Sequence, residues 1–138
     1  MAKKKKLKIT DVQKAFNKAI VRRDAVCRVQ DYIHSCRGRL QCSHFFTVGG
    51  NSIIRFYPHN AFAQCAGHHM AHHYNNPLFY ARYMEREHAE ALKIMERVRG
   101  KPFHWGQDLL DRIYGACVND DLSEVERIYM DEIFVDLI

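Results

Sequence analysis

The spacing of apolar side chains near the start of the chain predicts an amphipathic helix. Its apolar positions recur three and four residues apart, as one face of a helix requires, and they are Val12, Phe16, Ala19 and Ile20. Thr10 and Gln13 form a capping-box pattern ahead of them. We therefore expect a first helix that begins at Thr10 and ends near Asp24.

Two short segments in the middle of the chain predict a β-hairpin. Residues 39–46 (RLQCSHFF) and 52–58 (SIIRFYP) carry the aromatic and β-branched side chains that strands favour. Between them, Gly49 and Gly50 can supply the positive φ of a turn. Asn60 then stands at a helix N-cap position, so the pattern predicts a histidine-rich helix directly after it.

The remaining part of the chain is predicted to be helical, because capping residues and helix breakers recur there. The predicted helices run from Asn76-Pro77 to about Val98 with a stop at Gly100, over residues 105–116, and from the Ser123–Glu126 capping box to about Asp136. The apolar residues of the last helix could cap the core or form a dimer contact, and we favour the core; they are Val125, Ile128, Tyr129, Ile133 and Phe134.

Length and composition fit one small domain of the α+β class. The chain has 138 residues, of which 47% are hydrophobic, and this is enough for one modest core. We expect a basic tail over residues 1–9, a core over 10–76 and a helical part of the same domain over 77–138. No apolar run is long enough for a bilayer and no secretory signal follows Met1, so we expect a cytoplasmic protein with reduced cysteines.

The charge of the chain is concentrated at its start. Residues 1–24 carry nine Lys/Arg and two acidic side chains, whereas residues 119–138 carry seven acidic side chains and one arginine. A basic segment of this kind favours a polyanionic partner, most simply nucleic acid. For Lys3–Lys6 taken alone, a disordered solubilising tail is an equal alternative.

Cysteine and histidine spacing predicts a structural zinc site. Six of the nine histidines lie between Cys42 and His73, and structural zinc takes four Cys or His ligands. Cys65 and His68 form a tight pair, and Cys27 and Cys36 are the predicted second pair, although His34 or Cys42 could replace one of these four ligands. Each cysteine alone would more often be a buried thiol.

A second group of side chains predicts phosphodiester hydrolysis. The helical spacing of His69 and His73 lets both reach one ion, while His44 lies on the predicted hairpin. Such a reaction needs a base near neutral pH and a divalent cation at the phosphate. We assign His44 as the base, Asn60 as an orienting group or ligand, and His69 as a ligand, with His73 as a weaker one. Singly, His44 would more often be a hydrogen-bonded strand histidine and Asn60 a simple N-cap.

This arrangement resembles the HNH nucleases, also called ββα-metal or His-Me finger nucleases. The segments AFNKAIVRRDAVC, GRLQCSHFFTVGG, IRFYPHNAFAQC and YARYMEREHAEAL further resemble the bacteriophage recombination-nuclease family called NinG or Rap. The resemblance covers roughly residues 12–98. It implies a zinc-stapled ββα-metal core that cuts branched recombination intermediates such as Holliday junctions, with structural Zn²⁺ and catalytic Mg²⁺ or Mn²⁺.

The chain departs from the family pattern at two places in the zinc site. His68 stands where the family has cysteine, and eight residues rather than two separate Cys27 from Cys36. Zinc accepts three thiolates and one imidazole. A homodimer would suit the two-fold symmetry of a junction, and phosphate contacts would dominate DNA affinity. The predicted DNA-binding residues are Arg55, Arg37, Arg39, Lys14, Lys18, Arg22 and Arg23.

Two other functions remain open on the sequence alone. A general HNH nicking enzyme would share the site but cut plain duplex as readily as junctions. A zinc-stapled nucleic-acid-binding module would need only the four zinc ligands, which would leave His44 and His69 without a role.

Overall fold

The protein is described here from a computed structural model, for residues 5–30, 35–74 and 78–138, with the backbone alone at His73 and Tyr74. Within these residues the fold is of the α+β class, with six helices and a sheet of two strands. The elements are α1 (Ile9–Asp24), β1 (Leu40–His44), β2 (Ala61–Cys65), α2 (Ala66–Tyr74), α3 (Leu78–Glu87), α4 (Ala89–Val98), α5 (Gln107–Val118) and α6 (Leu122–Ile128).

Helix α1 buries the face that the apolar spacing predicts. Val12, Phe16 and Ile20 are fully buried. The predicted capping box of Thr10 and Gln13 is wrong, because the helix begins one residue earlier. The backbone N–H of Lys8 instead donates to the carboxylate of Asp11 at 3.0 Å, and an acidic side chain is favourable in the first turn of a helix.

The two strands form an antiparallel pair in which Leu40 lies opposite Cys65 and His44 opposite Ala61. The first strand agrees with the prediction, but the second was placed too early. Residues 52–58 contain a 3-10 turn at Ser52–Ile54, and a second turn follows at Pro58–Asn60. Asn60 therefore precedes a strand and caps no helix.

The predicted helix up to Val98 is interrupted at His88, which separates α3 from α4. Its predicted start at Asn76-Pro77 lies outside the described residues. Its end is confirmed, since Gly100 follows α4 with a φ of 79°. The last helix also begins earlier than predicted, because the carboxylate of Asp121, and not Ser123, accepts from the backbone N–H of Glu124 at 3.2 Å.

The C-terminal residues belong to the core, as predicted. Val125, Ile128, Tyr129 and Phe134 are fully buried, and Ile133 is 5% exposed. The Tyr129 hydroxyl donates to the carbonyl of Ile53 at 2.8 Å and accepts from the N–H of Phe56 at 3.1 Å. Among the described residues, no helix is both long enough and apolar enough to span a bilayer.

We expect acid to destabilise the fold partly through His88. Its ring stacks on Phe62 at a centroid distance of 4.4 Å. Burial and the neighbouring His59 lower the pKa of His88 from 6.5 to about 4. The folded state therefore takes up this proton less readily than the unfolded chain, so the contribution is present above pH 6.5 and is lost as the pH falls towards 4.

The measurement is thermal unfolding between pH 7 and about pH 4. The melting temperature of His88→Gln should fall less over this interval than that of the wild type. The exposed His104 carries the same change as a control, His104→Gln, which should follow the wild type. Identical pH dependence of wild type and His88→Gln would exclude this role for His88.

Candidate metal centre and catalytic site

Four side chains converge at the end of the hairpin. The ligand atoms of Cys27, Cys36, Cys65 and His68 all lie within 4.8 Å of one another. The Nδ1 atom of His68 is 2.9 Å from Sγ of Cys65, 3.7 Å from Sγ of Cys27 and 3.8 Å from Sγ of Cys36. These four residues could hold a metal ion, and they are the four that the sequence predicts.

Local backbone structure explains how the cluster forms. Cys65 ends β2 and His68 lies in the first turn of α2. The loop that carries Cys36 is fastened to this helix start, because the N–H of Gly67 donates to the carbonyl of Arg37 at 2.9 Å. A Cβ at Gly38 would approach the Cβ of Ala66 to 2.7 Å, and the φ of Gly38 is 82°. Only glycine fits this approach without displacement.

The electrostatics of the cluster fit a cation. Although burial opposes it, the backbone N–H groups of His68 and Arg37 lower the pKa of the Cys65 thiol. Desolvation and the thiols of Cys27 and Cys65 raise the pKa of Cys36 to about 12. Crowded thiolates repel one another unless a cation neutralises them, and three thiolates with one imidazole are a donor set typical of structural zinc.

The alternative ligands do not join the cluster among the described residues. Cys42 is a free cysteine outside the four-residue group, and burial raises the pKa of its thiol to about 12. His34 lies outside the described residues. The eight-residue separation of Cys27 and Cys36 is therefore compatible with a shared site.

His44, at the end of β1, is a largely enclosed imidazole that packs against α1. Its ring centroid is 5.9 Å from that of Phe16. Burial lowers the pKa of His44, the carbonyl of Arg55 opposes this, and the charges of Arg55 and His69 lower the pKa further. The imidazole is therefore neutral at pH 7, as a general base must be.

A backbone carbonyl determines which nitrogen of His44 is basic. Nε2 lies 3.1 Å from the carbonyl oxygen of Arg55. A carbonyl can only accept a hydrogen bond, so Nε2 carries the proton and Nδ1 has the free lone pair. Residue types give no sign of this partner, because every residue has a backbone carbonyl.

Asn60 fastens the loop that presents this carbonyl. Its side-chain oxygen accepts from the N–H of Phe46 at 2.9 Å. Its amide nitrogen donates to the carbonyls of Phe46 at 3.0 Å and of Ile54 at 3.4 Å. Asn60 is fully buried. Its side chain therefore holds the loop at Phe46 and Ile54, and both ends of its amide are engaged with backbone.

His69 approaches the hairpin from the other side. Its Nδ1 atom lies 2.8 Å from the side-chain oxygen of Gln41. Side chains alternate along a strand, so Gln41 and His44 point to opposite faces of β1. His69 is near enough to influence the pKa of His44. In the described part of the chain, the cluster of Cys27, Cys36, Cys65 and His68 is the single group of three or more Cys, His, Asp or Glu side chains that could hold a metal ion.

The predicted ligands of a catalytic cation are therefore not assembled in the described residues. His69 contacts Gln41, and the Asn60 amide holds the loop. The side chain of His73 lies outside the described residues. The catalytic cation, with Asn60, His69 and His73 as its ligands, stays a prediction.

The predicted DNA-binding arginines have different roles in the fold. Arg23 donates to the carboxylate of Asp24 at 2.8 Å and to the carbonyls of Pro58 and Ala61 at 2.9 Å each. Arg22 pairs with Asp120 at 2.6 Å. Both guanidinium groups therefore join parts of the fold together.

The remaining predicted DNA-binding side chains are accessible. Lys14 and Lys18 are exposed on α1 and line a groove of about 530 Å³ between α1 and α5, together with Lys5 and Lys6. Arg55 is half-buried beside His44 and stacks over the Phe56 ring at 5.4 Å. Arg37 and Arg39 are exposed between the cluster residue Cys36 and β1.

Comparison with known proteins gives a family match over most of the chain. A family model described as bacteriophage Lambda NinG protein matches residues 1–120. Neither a curated protein nor a solved structure matches the chain. The matched region contains α1, both strands, the four cluster residues and His44.

Proposed function

The chain belongs to the bacteriophage Lambda NinG family, and from this premise we propose that it is a metal-dependent endonuclease of the HNH, or ββα-metal, type. Its substrate would be branched DNA of the kind formed in phage recombination. The order β1, loop, β2, α2 agrees with this proposal, and the metal cluster would fasten the hairpin to the helix.

The environment of His44 is the observation that carries the proposal. The ring is neutral, its Nε2–H is directed at the Arg55 carbonyl, and Nδ1 is left to take a proton. In the proposed reaction Nδ1 removes a proton from a water molecule that attacks the scissile phosphorus. The bond from phosphorus to the leaving oxygen breaks, and that oxygen is protonated from solvent.

Arg55 is the proposed phosphate contact next to this base. Its Nε donates to the side-chain oxygen of Gln13 at 2.8 Å, which fixes the plane of the guanidinium. A guanidinium held in this way can offer its two Nη groups to a phosphate as a bidentate pair. Mg²⁺ or Mn²⁺ would supply charge neutralisation at the phosphate, with His69 and His73 as its proposed ligands.

The lysines of the α1–α5 groove are the proposed site for an adjacent stretch of phosphate backbone. Replacing Lys14 and Lys18 together by glutamine should weaken binding to every DNA sequence. The slope of log affinity against log salt should fall by about 0.9 for each lost contact. Salt titrations by fluorescence anisotropy measure this.

Lys93→Gln is the control for the groove, because Lys93 is an exposed lysine on α4, outside the groove. This substitution should leave the slope of log affinity against log salt unchanged. An unaltered slope in the double variant would remove the groove from the DNA-binding surface. Equal slopes in the double variant and Lys93→Gln would do the same.

A non-catalytic nucleic-acid-binding module is the second candidate, because His69, a proposed ligand of the catalytic cation, contacts Gln41 at 2.8 Å. Labelled four-way junctions and matched duplexes, incubated with Mg²⁺, with Mn²⁺ and with EDTA, separate the candidates. Junction cleavage that EDTA abolishes supports the proposal. Equal cutting of duplex indicates a general nicking enzyme, and binding without cutting indicates the module.

A further inference from the structure

Gln13 of α1 contacts both ends of Arg55 and lies against His44. Its side-chain oxygen accepts from Nε of Arg55 at 2.8 Å, and its amide nitrogen lies 3.3 Å from the Arg55 carbonyl oxygen. The same amide nitrogen is 3.3 Å from Nε2 of His44. A single side chain thus contacts the proposed phosphate ligand and the carbonyl that orients the proposed base.

The hydrogen-bond inventory of these groups is consistent with one arrangement. A primary amide nitrogen has two hydrogens, and that of Gln13 donates to Oδ1 of Asn17 at 3.0 Å and to the Arg55 carbonyl. The His44 Nε2–H donates to the same carbonyl. The two nitrogens therefore lie side by side as donors to one oxygen. The Nε–H of Arg55 can only donate, so it fixes which end of the Gln13 amide is the oxygen.

No backbone donor holds the Arg55 carbonyl within the described residues. The 3-10 turn before it uses the carbonyls of Ser52 and Ile54 to accept from Arg55 and Tyr57. Two side chains, Gln13 and His44, are the donors to the carbonyl of Arg55. Since His44 is the group to be oriented, Gln13 is the other side chain that holds this oxygen directly, on a turn whose backbone Asn60 and Tyr129 also fasten.

We infer that Gln13 is a positioning residue that couples the general base to the phosphate-binding arginine from outside the ββα unit. This inference rests on the proposed nuclease function. Gln13 touches neither substrate nor reacting atoms. It acts by holding Arg55 at its guanidinium and at its carbonyl, so that a phosphate held by Arg55 is presented to the lone pair on Nδ1 of His44.

Two substitutions separate the two contacts of Gln13. Gln13→Met keeps the length of the side chain but removes both hydrogen bonds. Gln13→Glu keeps the acceptor for Nε of Arg55 and removes the donor to the Arg55 carbonyl. Gln107→Met is the matched control, because Gln107 makes a local hydrogen bond to Asp111 at 2.8 Å on the surface of α5.

The first readout needs no DNA. Nitrogen-15 NMR of the imidazole gives the tautomer of His44, and the Arg55 Nε–H resonance reports its hydrogen bond. Gln13→Met should mix the His44 tautomers and let the Arg55 Nε–H exchange faster with water. Gln13→Glu should keep the slow Arg55 exchange. Its carboxylate would lie where the amide nitrogen is 3.3 Å from Nε2 of His44, so it should keep the Nε2–H tautomer and raise the pKa of His44. Wild-type spectra in Gln13→Met would overturn the inference.

The second readout is single-turnover cleavage of a junction. Misplacing catalytic groups by about 1 Å can cost about 100-fold in rate. Gln13→Met should lower the cleavage rate about 10- to 100-fold and change junction affinity much less, with a melting temperature close to that of Gln107→Met. An equal loss of rate and affinity would overturn the inference.

The two readouts also separate this inference from the function on which it rests. If the wild-type protein cuts no DNA but its His44 tautomers still depend on Gln13, the proposed nuclease function is wrong and the positioning role of Gln13 stands. If the protein cuts junctions but its spectra and rates do not change when Gln13 is replaced, the positioning role of Gln13 is wrong and the nuclease function stands.

Discussion

His44→Ala is expected to abolish junction cleavage while leaving junction binding close to wild type. General base catalysis contributes about 10²- to 10⁴-fold to a rate, so the loss should be of that size. The imidazole is neutral because burial lowers its pKa. The wild-type rate should therefore stay high down to a pH below 6.5 and fall only when His44 takes up a proton.

Two further variants make this prediction specific. His44→Gln fills the same space beside Phe16 and can still donate to the Arg55 carbonyl, but it has no basic nitrogen, so it should be equally inactive. His104→Ala removes an exposed imidazole and should cut normally. The measurements are single-turnover rates, anisotropy and thermal unfolding. Wild-type cutting by His44→Gln would mean that another group takes the proton.

Loss of the metal centre is expected to unfold the protein. Structural zinc contributes about 10 kcal/mol or more at pH 7 in small domains, whereas a whole domain is stable by only about 5–15 kcal/mol. Cys65→Ala should therefore lose its metal and its cooperative thermal transition. Strong chelators should do the same to the wild type, with metal content measured by plasma mass spectrometry.

His68→Cys is the matched control for the metal centre. It replaces the imidazole by a fourth thiolate, and zinc binds four thiolates well. This variant should retain one zinc per chain and a cooperative transition. A Cys65→Ala protein that keeps a full equivalent of zinc and melts with the wild type would show that the four-residue cluster is not the structural site.

The metal ligands could be predicted from the sequence because half of the set is local. Cys65 and His68 are three residues apart, where a strand ends and a helix begins, and spacing alone indicates a shared ion. Cys27 and Cys36 were the second pair because they flank the loop ahead of the hairpin, although their separation departs from the family pattern. The match over residues 1–120 confirms the resemblance to the NinG family. No local pattern predicts that the loop carrying Cys36 packs against the start of α2, where Gly38 lies close to Ala66.

The second strand could not be predicted because its burial does not alternate. All five residues of β2 are buried, including Gln64, so the period of two is missing. The preceding segment has the aromatic and β-branched composition of a strand. It folds into 3-10 turns instead because distant side chains, Tyr129 and Trp105, bond to its backbone.

The contacts of Gln13 with His44 and Arg55 could not be predicted for a related reason. Gln13 lies 31 residues from His44 and 42 residues from Arg55, and spacing rules reach only a few positions. The three-residue spacing of Thr10 and Gln13 predicts a capping box instead. A hydrogen bond from an imidazole N–H to a backbone carbonyl leaves no trace in residue identity at all.

The hydroxyl of Tyr129 gives the end of the chain a part in the site. It holds the backbone on both sides of Arg55, at Ile53 and Phe56, yet it lies beyond residue 120, where the family match ends. A protein shortened to the matched region would lack Tyr129, so the backbone of residues 53–56 would lose both of these hydrogen bonds. A minimal version of the protein therefore has to include what supports this turn.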